Sequence, residues 1–219
     1  MVVIFTFFFG RTLSVPSDDL PYPLFVFAGL LLWNIFSSGL SSAANSMVSN
    51  ANIIKKIYFP RLIIPISAII VTLFDFIMAL VLFIGMMFWY RIQVNIPYFI
   101  FSLLFSILLA TIGTLGPGCL LAALNVKYRD FRYVIPFLVQ VLLFVTPVIY
   151  PVSMIKHVWI KWFIAFNPIS GAINLFRSAL TGKAPDLPLI LVSSLSAIFF
   201  FVIGVYYFRK TEAYFADLA

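Results

Sequence analysis

Long, continuous apolar runs restrict the folds open to this sequence more than any other feature. Four of them are about 20 residues or longer, as a membrane-spanning helix requires, and a fifth is shorter. They lie at 24–44, 62–89, 98–124 and 187–208, with the shorter run at 134–149. A soluble domain of 219 residues cannot bury a chain that is 63% hydrophobic, so we predict that lipid surrounds it.

The predicted fold class is all-α, a polytopic helical membrane protein with residues 1–219 as a single transmembrane domain. Helices pair their backbone polar groups within one segment, which lipid demands. The apolar runs also lack the polar/apolar alternation of a transmembrane barrel. Residues 1–10 are apolar, but a helix of that length rises only about 14 Å, so we interpret them as the second half of a span. We therefore predict five full spans and a partial first span.

A short basic segment, SNANIIKKIYFPR, lies between the first two full runs at 49–61. It is too short and too charged to cross a bilayer. The side chain of Ser49 or Asn50 is predicted to cap a helix, and Pro60 is predicted to end it. We therefore predict an amphipathic surface helix at 50–60. Two interpretations stay open: a basic loop that only follows membrane topology, or a helix that docks into a soluble partner.

The region 151–186 differs in kind from the spans. It is apolar and aromatic, yet Asn167-Pro168 and several charged residues interrupt it. Neither half is long enough to span, and both are too apolar for an ordinary loop. We predict two re-entrant half-helices, at 153–165 and 169–181.

Basic residues in the loops predict the orientation of the chain. Segments 50–61, 125–133 and 209–219 carry eight Lys and Arg, whereas the short loops 11–23 and 91–97 on the other side carry two. Since cytoplasmic loops are enriched in these residues, the first set and the C-terminus are predicted to be cytoplasmic. Topology thus accounts for the net charge of +7, and we predict no nucleic-acid partner.

The sequence holds no complete cofactor motif. Gly182-Lys183 resembles the end of a phosphate-binding loop, but Arg177 stands where that loop has its first glycine, and Ala184 stands where it has Ser or Thr. His157 is the only histidine, and no cluster of metal ligands accompanies it. We predict neither a nucleotide site nor a metal site in this chain.

Several motifs, in order, carry a resemblance to a known family. They are LPYPLFVFAGLLLWNIF and NSMVSNANIIKKIYFPRLIIP within 20–65, then VKYRDFRYVIPFLVQ, TPVIYP, FNPISGAINLFRSALTG and YFRKTEAYFA. The chain resembles the membrane (permease) subunits of type-2 ABC exporters for polysaccharides, which include those for O-antigen, capsule and teichoic acid. Members of that family begin with an amphipathic cytoplasmic helix and a complete first span. We therefore expect this chain to lack the N-terminal helix and half of that span.

The resemblance implies a function and its partners. The chain would be the permease subunit of an ATP-driven transporter that exports lipid-linked polysaccharide, such as O-antigen, across the bacterial inner membrane. It would form a homodimer and pair with cytoplasmic ATPase subunits, which would bind ATP and Mg²⁺, so the chain itself would be no enzyme. The re-entrant region would face outward and close the channel exit.

The resemblance also assigns candidate site residues. The coupling helix that contacts the ATPase would comprise Asn50, Asn52, Ile53, Ile54, Lys55, Lys56, Ile57, Tyr58, Phe59, Pro60 and Arg61. Aromatic rings can stack on sugars, and the candidates for a glycan channel are Trp33, Tyr150, Trp159, Trp162 and Phe166.

Asp75 leaves alternatives open, because it is the one carboxylate in the middle of an apolar run. Such a group costs several kcal/mol in lipid unless it is paired or neutral. It could couple transport to protons in a secondary transporter, hydrogen-bond a neighbouring helix, or lie near an interface. A third function class is a non-transporting membrane assembly protein. The sequence does not name the glycan, and copurification of a soluble ATPase would discriminate among the classes.

Overall fold

A computed structural model describes residues 5–8, 16–57, 59–128, 130–155 and 157–212. The helices after residue 16 are α1 (Tyr22–Ser49), α2 (Ala51–Lys56), α3 (Ile63–Trp89), α4 (Ile96–Lys127), α5 (Phe131–Val145), α6 (Val158–Ala165), α7 (Pro168–Thr181) and α8 (Leu187–Thr211), with a 3₁₀ turn at Val152–Met154. Residues 5–8 are helical, and the rest of the predicted partial span at 1–10 lies outside the described residues. Since these ranges contain no strand, the all-α class is confirmed.

Four helices, α1, α3, α4 and α8, are long and apolar enough to cross a membrane. Helix α5 has 15 residues and rises only about 22 Å, short of a hydrocarbon core of about 30 Å. The run predicted to span at 134–149 therefore ends as a helix at Val145. A non-helical segment, 146–150, then continues to the start of α1, where the Tyr22 hydroxyl donates to the Ile149 carbonyl at 3.1 Å. The count of five full spans stays a prediction.

Helix α1 is the most deeply buried of the four long helices and packs against α3, α4, α5 and α7. It contributes more buried residues to the main core than any other helix. Phe176 of α7 completes that core, because its ring lies 5.5 Å from Phe83 of α3 and 5.8 Å from Phe99 of α4, measured between ring centroids. The fold therefore holds α7 among the long helices.

A second, smaller core joins the opposite ends of the same helices. Its buried members are Met47, Ile54, Ile64, Cys119, Ala122, Ala123, Val126 and Phe208. Nearby, the buried side chain of Asn125 donates to the Ala44 carbonyl at 3.0 Å and to Asn45 Oδ1 at 3.2 Å. The ends of α1, α4 and α8 and the beginning of α3 thus meet around α2.

Helices α4 and α8 approach each other through glycine. A Cβ atom on Gly204 would lie 1.9 Å from the Gly116 carbonyl oxygen, so only glycine fits at this contact. Small residues allow such close backbone approach between helices in lipid. The backbones of α4 and α8 therefore lie in direct contact.

Candidate functional site

Helix α2 is shorter than the sequence predicted. The expected range was 50–60, but the helix occupies Ala51–Lys56 and Ile57 is already extended. Proline at position 60 disfavours helix at Phe59, and the chain must also turn back from α2 to reach Ile63 at the start of α3. Tyr58 and the side chain of Lys55 lie outside the described part of the structure.

Asn50 joins α1 to α2 in a way the sequence did not indicate. The prediction of a side-chain cap is wrong, because Asn50 Nδ2 donates to the Ser46 carbonyl at 2.8 Å. The Asn50 carbonyl instead accepts from the N–H groups of Ile53 and Ile54, at 3.0 and 3.1 Å. Hydrogen bonding therefore continues from one helix to the next across a single residue, so α1 and α2 are mechanically linked.

The isoleucines of α2 divide between two environments. Ile54 is 5% exposed and lies in the smaller core, whereas Ile53 is 48% and Ile57 61% exposed. Asn52 and Lys56 are exposed beside them. Among the described side chains here, Asn52, Ile53, Lys56 and Ile57 are exposed and free to contact a partner, whereas Ile54 fixes the helix to the spans. The resemblance in sequence had assigned Ile53, Ile54 and Ile57 alike to the contact with the ATPase.

Arg61 ties the segment after α2 to the end of α8. Its backbone N–H donates to Glu212 Oε1 at 3.1 Å, and its guanidinium donates to the Glu212 carbonyl. Phe59 packs against the smaller core from the same segment, while Pro60 is exposed. Both sides of α2 are thereby attached to long helices, and a displacement of α2 reaches α1, α3 and α8.

Helices α6 and α7 form a hairpin whose tip is Asn167. Asn167 Oδ1 accepts from the Ile169 N–H at 3.1 Å, and its Nδ2 donates to Thr146 Oγ1 at 2.7 Å. Pro168 is the first residue of α7, where its missing N–H is no loss. A Cβ on Gly113, near the midpoint of α4, would lie 2.5 Å from Pro168 Cβ. The tip therefore reaches the middle of a long helix.

The two ends of this hairpin lie near the start of α1. Asp19, just before α1, pairs with Lys183, just after α7, at 2.7 Å, and this hydrogen bond raises the pKa of Lys183. Ser153, just before α6, donates to Asp18 Oδ1 at 2.9 Å. The start of α6 and the end of α7 therefore lie at the same end of the molecule.

Arg177 is the functional candidate that sequence reasoning missed. It is 7% exposed, and its guanidinium donates to the carbonyls of Pro147 and Val148, each at 2.6 Å. Considering it in relation to a phosphate-binding loop overlooked its setting in FNPISGAINLFRSALTG, a helical stretch of small and apolar residues. A single arginine in such a stretch indicates a buried, internally bonded guanidinium.

A cavity of about 320 Å³ opens beside Arg177. Its charged lining residues are Asp18, Lys161, Arg177, Lys183 and Asp186. Acidic and basic side chains both line the cavity. Within the described ranges, no group of His, Cys, Asp or Glu has the arrangement of a metal site. The cavity offers polar contacts at the hairpin end of the molecule.

The predicted aromatic residues do not come together. Trp33 is 5% exposed within the main core, and the Tyr150 hydroxyl donates to the Val145 carbonyl at 2.8 Å. Trp159 is 87% exposed on α6, with Trp162 and Phe166 also exposed near it. Trp33 is closed to a substrate in this arrangement, and the three residues near α6 form a separate outer group.

The chain is similar to a described protein family and to individual known proteins. The family described as ABC-2 type transporter matches residues 1–181. An O-antigen export system permease protein RfbA of Klebsiella pneumoniae is 26% identical over 222 residues, covering 100% of this chain and 82% of that protein. One of the same name from Myxococcus xanthus is 27% identical over 188 residues, covering 84% of this chain and 72% of that protein.

Proposed function

Because the chain belongs to the ABC-2 type transporter family, we propose that it is the permease subunit of an ATP-driven exporter of lipid-linked polysaccharide, such as O-antigen. The observation that carries the proposal is the similarity to O-antigen export permeases along the whole chain. Long apolar helices and a hairpin that enters among them suit a transport path better than a soluble activity. The transported polysaccharide would cross the bacterial inner membrane.

The proposed partner on one side is a cytoplasmic ABC ATPase, which binds ATP and Mg²⁺. The exposed surface formed by Asn52, Ile53 and Lys56 of α2 and by Ile57 directly after it supports this contact. Two apolar side chains flanked by a cation suit a partly apolar cleft with acidic groups. Since Ile54 and Arg61 attach α2 to the long helices, movement of the ATPase would tilt those helices.

The proposed partner within the membrane is a second copy of the chain. In this homodimer α2 and the C-terminus face the cytoplasm, consistent with the basic residues of 50–61, 125–133 and 209–219. The hairpin of α6 and α7 then enters the outer leaflet without crossing it. We propose that it closes the exit of the path.

The family favours this function over the two others considered from the sequence. Members are ABC transporters, so a proton-coupled carrier that uses Asp75 and a non-transporting assembly protein have no support from the match. Deleting the gene in its native bacterium should remove the surface glycan while lipid-linked glycan accumulates at the inner face of the membrane. Expression of the wild-type gene should reverse both effects. An unchanged amount of surface glycan in the deletion strain would overturn the proposal.

A further inference from the structure

The exposed residues of α1 are almost all polar, although the helix is otherwise apolar and buried. They are Asn34, Ser38, Ser42, Val48 and Ser49. The first three, which we call the α1 strip, are four residues apart and so lie along one face. Asn34 lies near the midpoint of this helix of 28 residues, where a membrane-spanning helix is expected to cross the hydrocarbon centre.

Other helices of the same chain show the opposite arrangement. Between Leu191 and Ile203, the exposed residues of α8 are all apolar: Leu191, Leu195, Ile198, Phe199, Val202 and Ile203. That pattern is expected of a surface against lipid, which cannot satisfy polar groups. The α1 strip therefore faces something other than lipid.

Asp75 of α3 lies next to this strip. A cavity of about 230 Å³ between the two helices is lined by Leu31, Asn34, Ser38, Thr72, Asp75, Phe76 and Ala79. Asp75 is exposed near the midpoint of α3. Within the described part of the chain, the side chains of Asn34, Ser38 and Asp75 have no hydrogen-bond or ion-pair partner. A carboxylate in that position requires water or polar groups from outside the chain.

We propose that the α1 strip and Asp75 line a water-filled path and contact the exported glycan there; this rests on the proposed function. The carboxamide of Asn34 and the serine hydroxyls both donate and accept hydrogen bonds, and the Asp75 carboxylate accepts from hydroxyls. Among the residues that the structure describes, no basic side chain lines the cavity between the strip and Asp75. The chemistry matches a neutral, hydroxyl-rich chain better than a phosphate group or an acyl tail.

Cysteine labelling in membranes tests the path. The native Cys119 is buried and is first replaced by serine. Asn34→Cys and Ser38→Cys are then compared with Ile77→Cys, an exposed apolar position on α3, in the full chain with its ATPase. A small water-soluble methanethiosulfonate should modify the first two more than about tenfold faster, because the thiolate that reacts forms only in contact with water.

The glycan itself is tested by repeating the labelling in a strain that cannot synthesise it. Labelling of Ser38→Cys should be slower in the producing strain, since glycan in the path shields the thiol. Labelling rates of Asn34→Cys and Ser38→Cys equal to that of Ile77→Cys would overturn the path. A disulfide that forms spontaneously between two copies of the chain, with no labelling of these positions, would also overturn it. Fast labelling that is identical in both strains would overturn its occupation by glycan. Failure of the proposed function shows separately, as normal surface glycan after gene deletion.

Discussion

The guanidinium of Arg177 lies 3.5 Å from the centre of the Phe25 ring and also donates to the Phe25 carbonyl, from Nη2 at 3.0 Å. One side chain therefore attaches α7 to the first turn of α1. Through the carbonyls of Pro147 and Val148 it also holds the non-helical segment after α5. The guanidinium supplies the donors that these carbonyls would otherwise lack in a buried place.

Replacing this arginine should destabilise the protein strongly. Arg177→Gln removes the guanidinium donors to the buried carbonyls of Pro147 and Val148, at a cost of about 1–3 kcal/mol for each buried group left unsatisfied. The stability of Arg177→Lys should lie between that of the wild type and that of Arg177→Gln. An ammonium keeps the charge, but it lacks the planar fork of a guanidinium and stacks poorly on a ring. The melting temperature in detergent measures the effect.

Lys183→Gln is the matched control for Arg177, since it removes a cation from the same cavity without removing a buried contact. Its pair with Asp19 is exposed, so the melting temperature should stay unchanged. Equal losses in the Arg177 and Lys183 variants would contradict the role assigned to Arg177.

The exposed isoleucines of α2 should decide ATPase binding. Ile53→Asp with Ile57→Asp would place two carboxylates in an apolar contact, lowering affinity roughly a hundredfold or more, while the melting temperature stays normal. Ile54→Asp should instead lower the melting temperature, because Ile54 lies in the smaller core. Copurification of the ATPase and thermal melting separate the two effects. Normal copurification of the double variant would show that this exposed face of α2 does not bind the ATPase.

The contact between Gly113 and Pro168 predicts a steric effect at the tip of the hairpin. Gly113→Ala places its Cβ 2.5 Å from Pro168 Cβ, and overpacking of this kind costs about 1–3 kcal/mol. Gly85→Ala is the control, because nothing lies within 4 Å of a Cβ there. Thermal melting should show a loss for the first variant only. A loss of the same size in both would contradict the steric role of the contact with Pro168.

Variants at Asp75 distinguish a residue that lines the path and forms hydrogen bonds from a residue that couples transport to protons. Asp75→Asn keeps hydrogen bonding at the cavity and should retain most glycan export, whereas Asp75→Leu should reduce it. A proton-coupled mechanism requires a titrating group and predicts that both variants fail. The amount of glycan at the cell surface measures the outcome, with the abundance of each variant in the membrane as the control.

Composition and spacing predicted the long helices and the hairpin for simple physical reasons. Apolar length fixes where lipid-compatible helices form, and Asn167-Pro168 marks a helix start wherever the segment lies. The small residues Ala110, Thr114 and Gly118 also recur every fourth position, and all three are buried. These signals depend only on residues that are close in the sequence, so they can be recognised from a single sequence.

The features that sequence reasoning missed depend on contacts between distant segments. Ile53 and Ile54 have the same side chain, and only the core that contains Met47 and Phe208 shows which of them is buried. Arg177 binds carbonyls about 30 and 152 residues away in the sequence, which no local pattern reveals. Asn50 could cap or continue a helix, and the nearby Ser46 carbonyl decides between them.

ATP-dependent movement of glycan in inverted membrane vesicles tests the central claim most directly. Vesicles that contain the chain and its ATPase should transfer lipid-linked glycan to the lumen, where glycosidases added outside cannot reach it, and only when ATP is hydrolysed. The Ile53→Asp, Ile57→Asp variant should abolish the transfer at normal abundance. Transfer at the same rate without ATP, or in vesicles that lack this chain, would contradict the account.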